Sequence, residues 1–242
     1  MSTLPALRDP DGSYGRLANL RDLGGLPARY GGSTRSGKLY RSDAPYARDC
    51  IADQIASWPP SDVIDLRAVR ELGNRYQWPS GTFVHLVPLL AEAAPDVRQG
   101  TRDRLYVRIL GDLAPHLAHI VSILARARGS VLIHCAVGKD RTGVTVAVLL
   151  TAAGVVRSAV VSDYLATGSN VEGLLLRVPL GGYQVDAGVR RRLRDMPPSA
   201  IEAVIAAVAD PPGGPERWFA ERGVDSGDLA LWRSRLVSPA TA

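Results

Sequence analysis

Val131-Leu132-Ile133-His134-Cys135-Ala136-Val137-Gly138-Lys139-Asp140-Arg141-Thr142-Gly143 is the stretch on which the architecture turns. Its first three residues are apolar and mostly β-branched, the pattern of a short buried strand. From Thr142 to Gly154 the chain is apolar and uncharged at helical length, which predicts a helix buried behind that strand. Only a tight loop, eased by Gly138, separates the two. Strand, loop and helix in that order aim backbone N–H groups and the positive end of a helix dipole at one point in space. An anion belongs at that point.

Outward from this stretch, short strands are predicted at 38–41, 62–66, 82–88 and 130–134, with helices at 46–57, 101–127 and 142–154. Strands alternating with helices predict an α/β fold with a mainly parallel central sheet flanked by helices. Ligands of such sheets bind beyond the carboxyl ends of the strands, where the Cys135 loop sits. After Gly154 the pattern is nearly all helical, at 157–167, 186–195, 199–209, 216–222 and 226–237. Pro197-Pro198 and Pro211 to Gly214 mark breaks. The expected organisation is one domain over 1–242, with 1–15 a loose lead-in and 155–242 a helical C-terminal part that either completes the core or partly forms a lid over the site.

Composition narrows the function classes. A chain of 242 residues with a formal charge of +5 suits an ordinary globular domain. Its arginines are scattered or in short runs such as Arg190-Arg191-Arg192, without interleaved aromatics, so a nucleic-acid partner is not expected. Two cysteines make no disulfide framework, and Cys50 reads as a small core residue. The start of the chain lacks the pattern of a cleavable signal peptide, and 143–156 is too short for a membrane span of ~20 residues. A cytoplasmic, reducing location is expected, with no integral membrane segment; secretion without a cleavable signal stays open. His116 and His119 lack a third ligand at metal spacing, so no metal is expected. Gly138-Lys139 is followed by Asp140 rather than Ser or Thr, so this is no nucleotide-binding loop. Oligomeric state has no signal here.

The loop carries the chemistry. A thiol's pKa of ~8.5 falls towards ~3.5–7.5 beside cations or a helix N-terminus. Cys135, with Lys139, Arg141 and the helix start close by in sequence, is therefore expected to act as a nucleophilic thiolate without a separate base. Arg141 is expected to hold two phosphoryl oxygens in a bidentate fork. Ala136, Val137, Gly138, Lys139, Asp140 and Arg141 together are the expected phosphate cradle. Thr142 is expected to donate its hydroxyl to the sulfur, and His134 to orient the loop by bonding backbone.

The run from His134 to Gly143 resembles the signature loop of cysteine-dependent protein tyrosine phosphatases, most of all a bacterial branch whose loop reads HCxxGKDRTG. That branch includes secreted mycobacterial enzymes active on phosphotyrosine, phosphoserine/threonine and phosphoinositides. The likeness extends to Asn19-Leu20-Arg21-Asp22-Leu23-Gly24-Gly25, Leu39-Tyr40-Arg41-Ser42-Asp43, Val63-Ile64-Asp65-Leu66-Arg67 with Glu71, and Asp163-Tyr164-Leu165, covering roughly 16–170. It implies a phosphomonoester hydrolase working through a phosphocysteine intermediate, with no cofactor. It also implies a phosphotyrosine protein as the foremost substrate, with phosphoserine/threonine or phosphoinositide activity beside it.

The resemblance places the general acid at Asp140, since neither Trp58-Pro59-Pro60 nor Trp78-Pro79-Ser80 is the mobile Trp-Pro-Asp loop of other relatives. Asp96 and Asp65 are its rivals. Asp65 with Arg67, and likewise Arg21, Asp22 and Asp43, also read as buried ion pairs bracing the loop. Lys139 reads either as support for the thiolate or as a second cation for a richer anion. Outside this family, a rhodanese-like sulfurtransferase and a phosphate-binding pseudoenzyme are the alternatives.

Overall fold

The computed structural model describes residues 15–29, 31–47, 49–51, 55–73, 76–90, 101–182 and 184–239. Among them the strands are β1 (Arg21–Asp22), β2 (Ser33–Thr34), β3 (Leu39–Ser42), β4 (Asp62–Asp65), β5 (Phe83–Leu86), β6 (Val131–His134) and β7 (Val237–Ser238). The main sheet runs β1-β3-β6-β4-β5, parallel throughout except for the antiparallel edge strand β1. β6 lies at its centre, Val131 pairing with both Leu39 and Asp62, and all four of its residues are buried. A parallel strand with both faces covered has no polar side to show, which is why this one reads as an unbroken apolar run. β2 and β7 form a separate two-stranded ribbon that ties the chain's end back to its beginning.

The helices are α1 (Arg102–Leu113), α2 (Leu117–Arg126), α3 (Asp140–Ala152), α4 (Arg157–Ala166), α5 (Val171–Arg177), α6 (Ala187–Arg194), α7 (Pro198–Ala209), α8 (Gly214–Ala220) and α9 (Ser226–Leu236). α3 is buried from Thr142 to Ala152 and packs against α1, α4 and α7. Gly154, at φ +83°, ends it: the amides of Gly154 and Val155 turn back onto the carbonyls of Thr151 and Leu150. By length and composition alone, the helical run Arg102–Arg126 is apolar enough to cross a membrane. Here Tyr106, Ile109, Leu113, Leu117, Ile120, Val121 and Leu124 bury its apolar stripe in the core.

Several expectations need correction. The predicted single helix over 101–127 is two, joined by a 3₁₀ turn at Ala114–His116 because Pro115 cannot donate to the helical ladder. No helix forms among the described residues of 46–57. There the Asp49 carboxylate accepts from the Tyr46 amide at 2.8 Å, while Asp49 N donates to the Tyr46 carbonyl at 3.0 Å, closing a turn. Cys50 is accordingly exposed, not a core residue, and Ile51 takes the buried place beside it. The sheet face carrying Tyr40, Val63 and Leu132 is covered partly by Ile55, Trp58 and Trp78 from connecting segments.

Candidate active site

Cys135 directly follows β6 and opens the loop to α3. It is 2 % exposed and joins the core cluster with Ile133 and Val144. Gly138 stands at φ +67°, and a Cβ there would lie 2.3 Å from the Ser42 carbonyl oxygen and 2.7 Å from Asp43 N. Only glycine lets the loop lie this close to the end of β3. The loop carbonyls are turned into the protein. Ala44 N donates to Ala136 O at 3.1 Å, and Gly143 N to Lys139 O at 2.8 Å. Asn19 Nδ2 donates to Val137 O at 3.3 Å and to Gly138 O at 3.0 Å, and Arg41 Nη2 reaches Gly138 O at 2.7 Å. In a trans peptide the N–H opposes the C=O, so the amides of Val137, Gly138, Lys139 and Asp140 face the other way. None of those four has an acceptor among the described residues. The loop presents donors to the cleft side, the arrangement that binds an oxyanion.

The donors that hold these carbonyls are themselves held. Arg41 pairs with Asp163, which also receives Arg21 Nε at 2.7 Å; Arg21 Nη1 fixes Asn19 Oδ1 at 2.6 Å. Asp43 accepts the Asn19 amide at 2.8 Å and pairs with Arg177, whose guanidinium also reaches both oxygens of Asp49 at 3.0 and 2.7 Å. Burial pushes the Asp163 carboxyl up, but Arg41 and Arg21 outweigh it and hold it below its usual value. Arg21 and Asp43 thus lie in buried pairs behind the loop. Asp22 does not: it accepts from the amides of Gly24 and Gly37 at 2.9 and 2.8 Å and closes a turn. Asp65 and Arg67 form a bidentate pair, with Arg67 Nη2 2.7 Å from Oδ2. Burial raises Asp65, yet His134 and Arg67 bring it below the ordinary carboxylate range. His134 Nδ1 lies 3.2 Å from Cys135 O and 3.8 Å from Asp65, and burial lowers its pKa.

Beyond the loop, Arg141 makes a two-pronged pair with Glu71 at 2.6 and 2.7 Å. Asp140 Oδ1 takes Lys139 Nζ at 2.7 Å, the Tyr106 hydroxyl at 2.9 Å and Arg102 Nη1 at 3.4 Å. Burial favours the protonated Asp140, but Lys139 and Arg102 prevail and its pKa is lowered. Lys139 is buried, its ammonium engaged by Asp140 and by the Asp195 carbonyl at 3.2 Å, so it is not an open cation at the cleft. Thr142 Oγ1 is buried without a hydrogen-bond partner among the described residues, and the expected bond to the sulfur is not made. Asp96 lies outside the described residues.

These groups border a cleft of ≈ 270 Å³. Ala136, Val137, Lys139, Asp140 and Arg141 line its floor, Leu90, Leu105, Val178, Val189 and Leu193 its apolar walls, and Arg70 and Arg192 its mouth. Cys135 itself is buried and is not among the residues that line the cleft. Arg102, Tyr106, Arg177 and Asp195 were not picked out from the sequence. A signal existed for two of them: Arg102 and Tyr106 stand four apart, on one helix face.

The family model described as the tyrosine phosphatase family matches residues 13–238. Over 169 residues the chain is 28% identical to a Cupriavidus necator protein provisionally named a tyrosine-protein phosphatase, covering 64% of this chain and 62% of that protein. It is 29% identical over 211 residues to the triple specificity protein phosphatase PtpB of Mycobacterium tuberculosis, covering 72% and 73%. A tyrosine-protein phosphatase of Nostoc commune is 32% identical over 142 residues, covering 54% and 47%. The matched segments thus span from about half to about three quarters of these relatives' lengths. Since the family model extends over nearly the whole described chain and not the loop alone, this chain belongs to the tyrosine phosphatase family.

Proposed function

We propose that this chain hydrolyses phosphomonoesters, foremost phosphotyrosine in proteins, through a phosphocysteine intermediate. The observation that carries the reading is the loop after Cys135, whose carbonyls are bonded away from the cleft and whose four central amides are left for an oxyanion. Those amides and the Arg141 guanidinium hold the phosphoryl oxygens as charge shifts during transfer. The Cys135 thiolate forms a bond to phosphorus while the bond from phosphorus to the ester oxygen breaks. Asp140 gives its proton to the departing oxygen. A water then attacks phosphorus, Asp140 takes a proton from that water, the S–P bond breaks, and inorganic phosphate leaves.

Asp140 is the acid in this reading because it lines the cleft beside Arg141, whereas Asp65 is locked in its pair with Arg67. Its lowered pKa opposes the role in the free protein, and a bound phosphate dianion raises it again. The apolar walls suit a phenyl ring. The name of the mycobacterial relative supports a wider range of phosphorylated residues, and phosphoinositides belong in the same test. Membership of the phosphatase family sets the sulfurtransferase alternative aside. The decisive experiment compares wild type with Cys135→Ser on an aryl phosphate and on phosphotyrosine, phosphoserine and phosphothreonine peptides and a phosphoinositide. Turnover is expected to vanish in the variant while vanadate still binds; full activity in Cys135→Ser overturns the mechanism, and an inactive wild type leaves a phosphate-binding pseudoenzyme.

A further inference from the structure

We infer that the cleft selects phosphotyrosyl peptides carrying an acidic residue next to the phosphotyrosine, and that Arg192 on α6 makes this choice. The inference rests on the phosphatase reading and adds the class of peptide.

Lys139 is engaged by Asp140 and the Asp195 carbonyl, Arg102 by Asp195, Asp140 and the Arg192 carbonyl, and Arg141 by Glu71. The carboxylates at the cleft are occupied by the same pairs. Arg192 differs: it lines the cleft, is exposed, and has no carboxylate partner among the described residues. Its neighbours Arg190 and Arg191 are exposed as well, while Arg194 is taken by Glu172 at 2.6 Å. The mouth of the cleft therefore carries unneutralised positive charge.

Helical spacing fixes what lies beside that charge. Val189, Arg192 and Leu193 stand at i, i+3 and i+4 on α6, so they share one face, and all three line the cleft. An apolar pair one turn apart suits the face of a phenyl ring, and a guanidinium next to it suits a carboxylate one residue away on the same peptide. An inositol ring, polar on every edge, gains nothing from Val189 and Leu193. The combination favours a peptide over a lipid headgroup.

The test uses two phosphotyrosyl peptides that differ only in the flanking residues, glutamate or lysine, with an aryl phosphate and a short-chain phosphoinositide alongside. In wild type, kcat/KM for the glutamate peptide is expected to exceed that for the lysine peptide by about tenfold at low salt, and the ratio to shrink in high salt. In Arg192→Gln the ratio falls towards one, and in Arg192→Glu it inverts. A general loss of folded protein or of turnover cancels in the ratio. A wild-type ratio near one, or one that neither variant moves, overturns the inference. A phosphoinositide turned over faster than either peptide, with Arg192→Gln slowing it alone, also overturns it and names the lipid as ligand. If the aryl phosphate is turned over while the ratio is flat, this inference alone fails; if wild type hydrolyses none of the four, it falls with the phosphatase reading.

Discussion

Asp140 has one oxygen fixed and one in reserve. Three donors converge on Oδ1, from Lys139, Tyr106 and Arg102, whereas Oδ2 has no partner among the described residues. A carboxyl so anchored presents its second oxygen in one orientation, as a proton donor to a leaving group must. Asp140→Asn is therefore expected to slow phenyl phosphate by roughly 10²–10³ fold, and an ester with a strongly activated leaving group far less. Equal losses on both esters would take the acid role away from Asp140. Tyr106 is the positioning partner. Its hydroxyl bonds Tyr164 at 2.8 Å as well as Asp140, and burial raises its own pKa, so it stays a neutral donor. By donating to the charged carboxylate it lowers the Asp140 pKa. Tyr106→Phe is then expected to shift the alkaline limb of the kcat/KM profile to higher pH, because the proton on Asp140 is held longer. A profile that drops in height without moving sideways assigns Tyr106 a packing role only.

At the scale of elements, the loop keeps its shape because β1, β3, α4 and α5 each lend it a side chain or brace one that does. Gly138→Ala tests the closest of these approaches. With a Cβ 2.3 Å from the Ser42 carbonyl and φ at +67°, the loop must move, at an expected loss of about 1–3 kcal/mol in stability with a larger proportional loss of aryl phosphate turnover. Arg177→Ala removes the guanidinium shared by Asp43 and Asp49, leaving two buried carboxylates unpaired; denaturant titration is expected to show a loss of roughly 3–5 kcal/mol. A loss below 1 kcal/mol means that α5 does not anchor the loop. How much of this the sequence disclosed follows from the range of each interaction. β6, the loop and α3 are contiguous, so their pattern was readable within a dozen residues, and the strands of the parallel sheet came from the same local periodicity. Arg177 lies 134 residues from Asp43, and nothing local distinguishes it from a surface arginine after Leu174, Leu175 and Leu176. The turn at Tyr46–Asp49 misled for the same reason: its helical spacing is genuine, but Arg177 and the Asp49 side chain hold the backbone otherwise.

Across the whole molecule these buried charges link stability to pH. Asp65, Asp140 and Asp163 all have carboxyl pKa values held below the unfolded value by buried cations. A carboxyl depressed on folding adds stability above its unfolded pKa of about 3.9, and that stability is lost as pH falls through the folded value. His134 acts in a higher window: burial lowers its pKa, so the unfolded chain binds a proton first and stability begins to fall as pH drops past about 6.5. Asp43, which burial pushes up despite Arg177, works in the opposite sense above about pH 4, where it offsets part of the loss at His134. The melting temperature is accordingly expected to decline in two stages on acidification, the first starting near pH 6.5 and the second near pH 4. Thermal unfolding followed from pH 7.5 to 3.5 separates them. His134→Gln is expected to flatten the upper stage, and Asp65→Asn, though less stable at pH 7, to flatten part of the lower. A melting temperature that rises between pH 7 and 5 contradicts a net loss in this window, because the folded chain then takes up more protons there than the unfolded one and Asp43 outweighs His134. In that event His134→Gln steepens the rise, since it removes the one opposing group of the two.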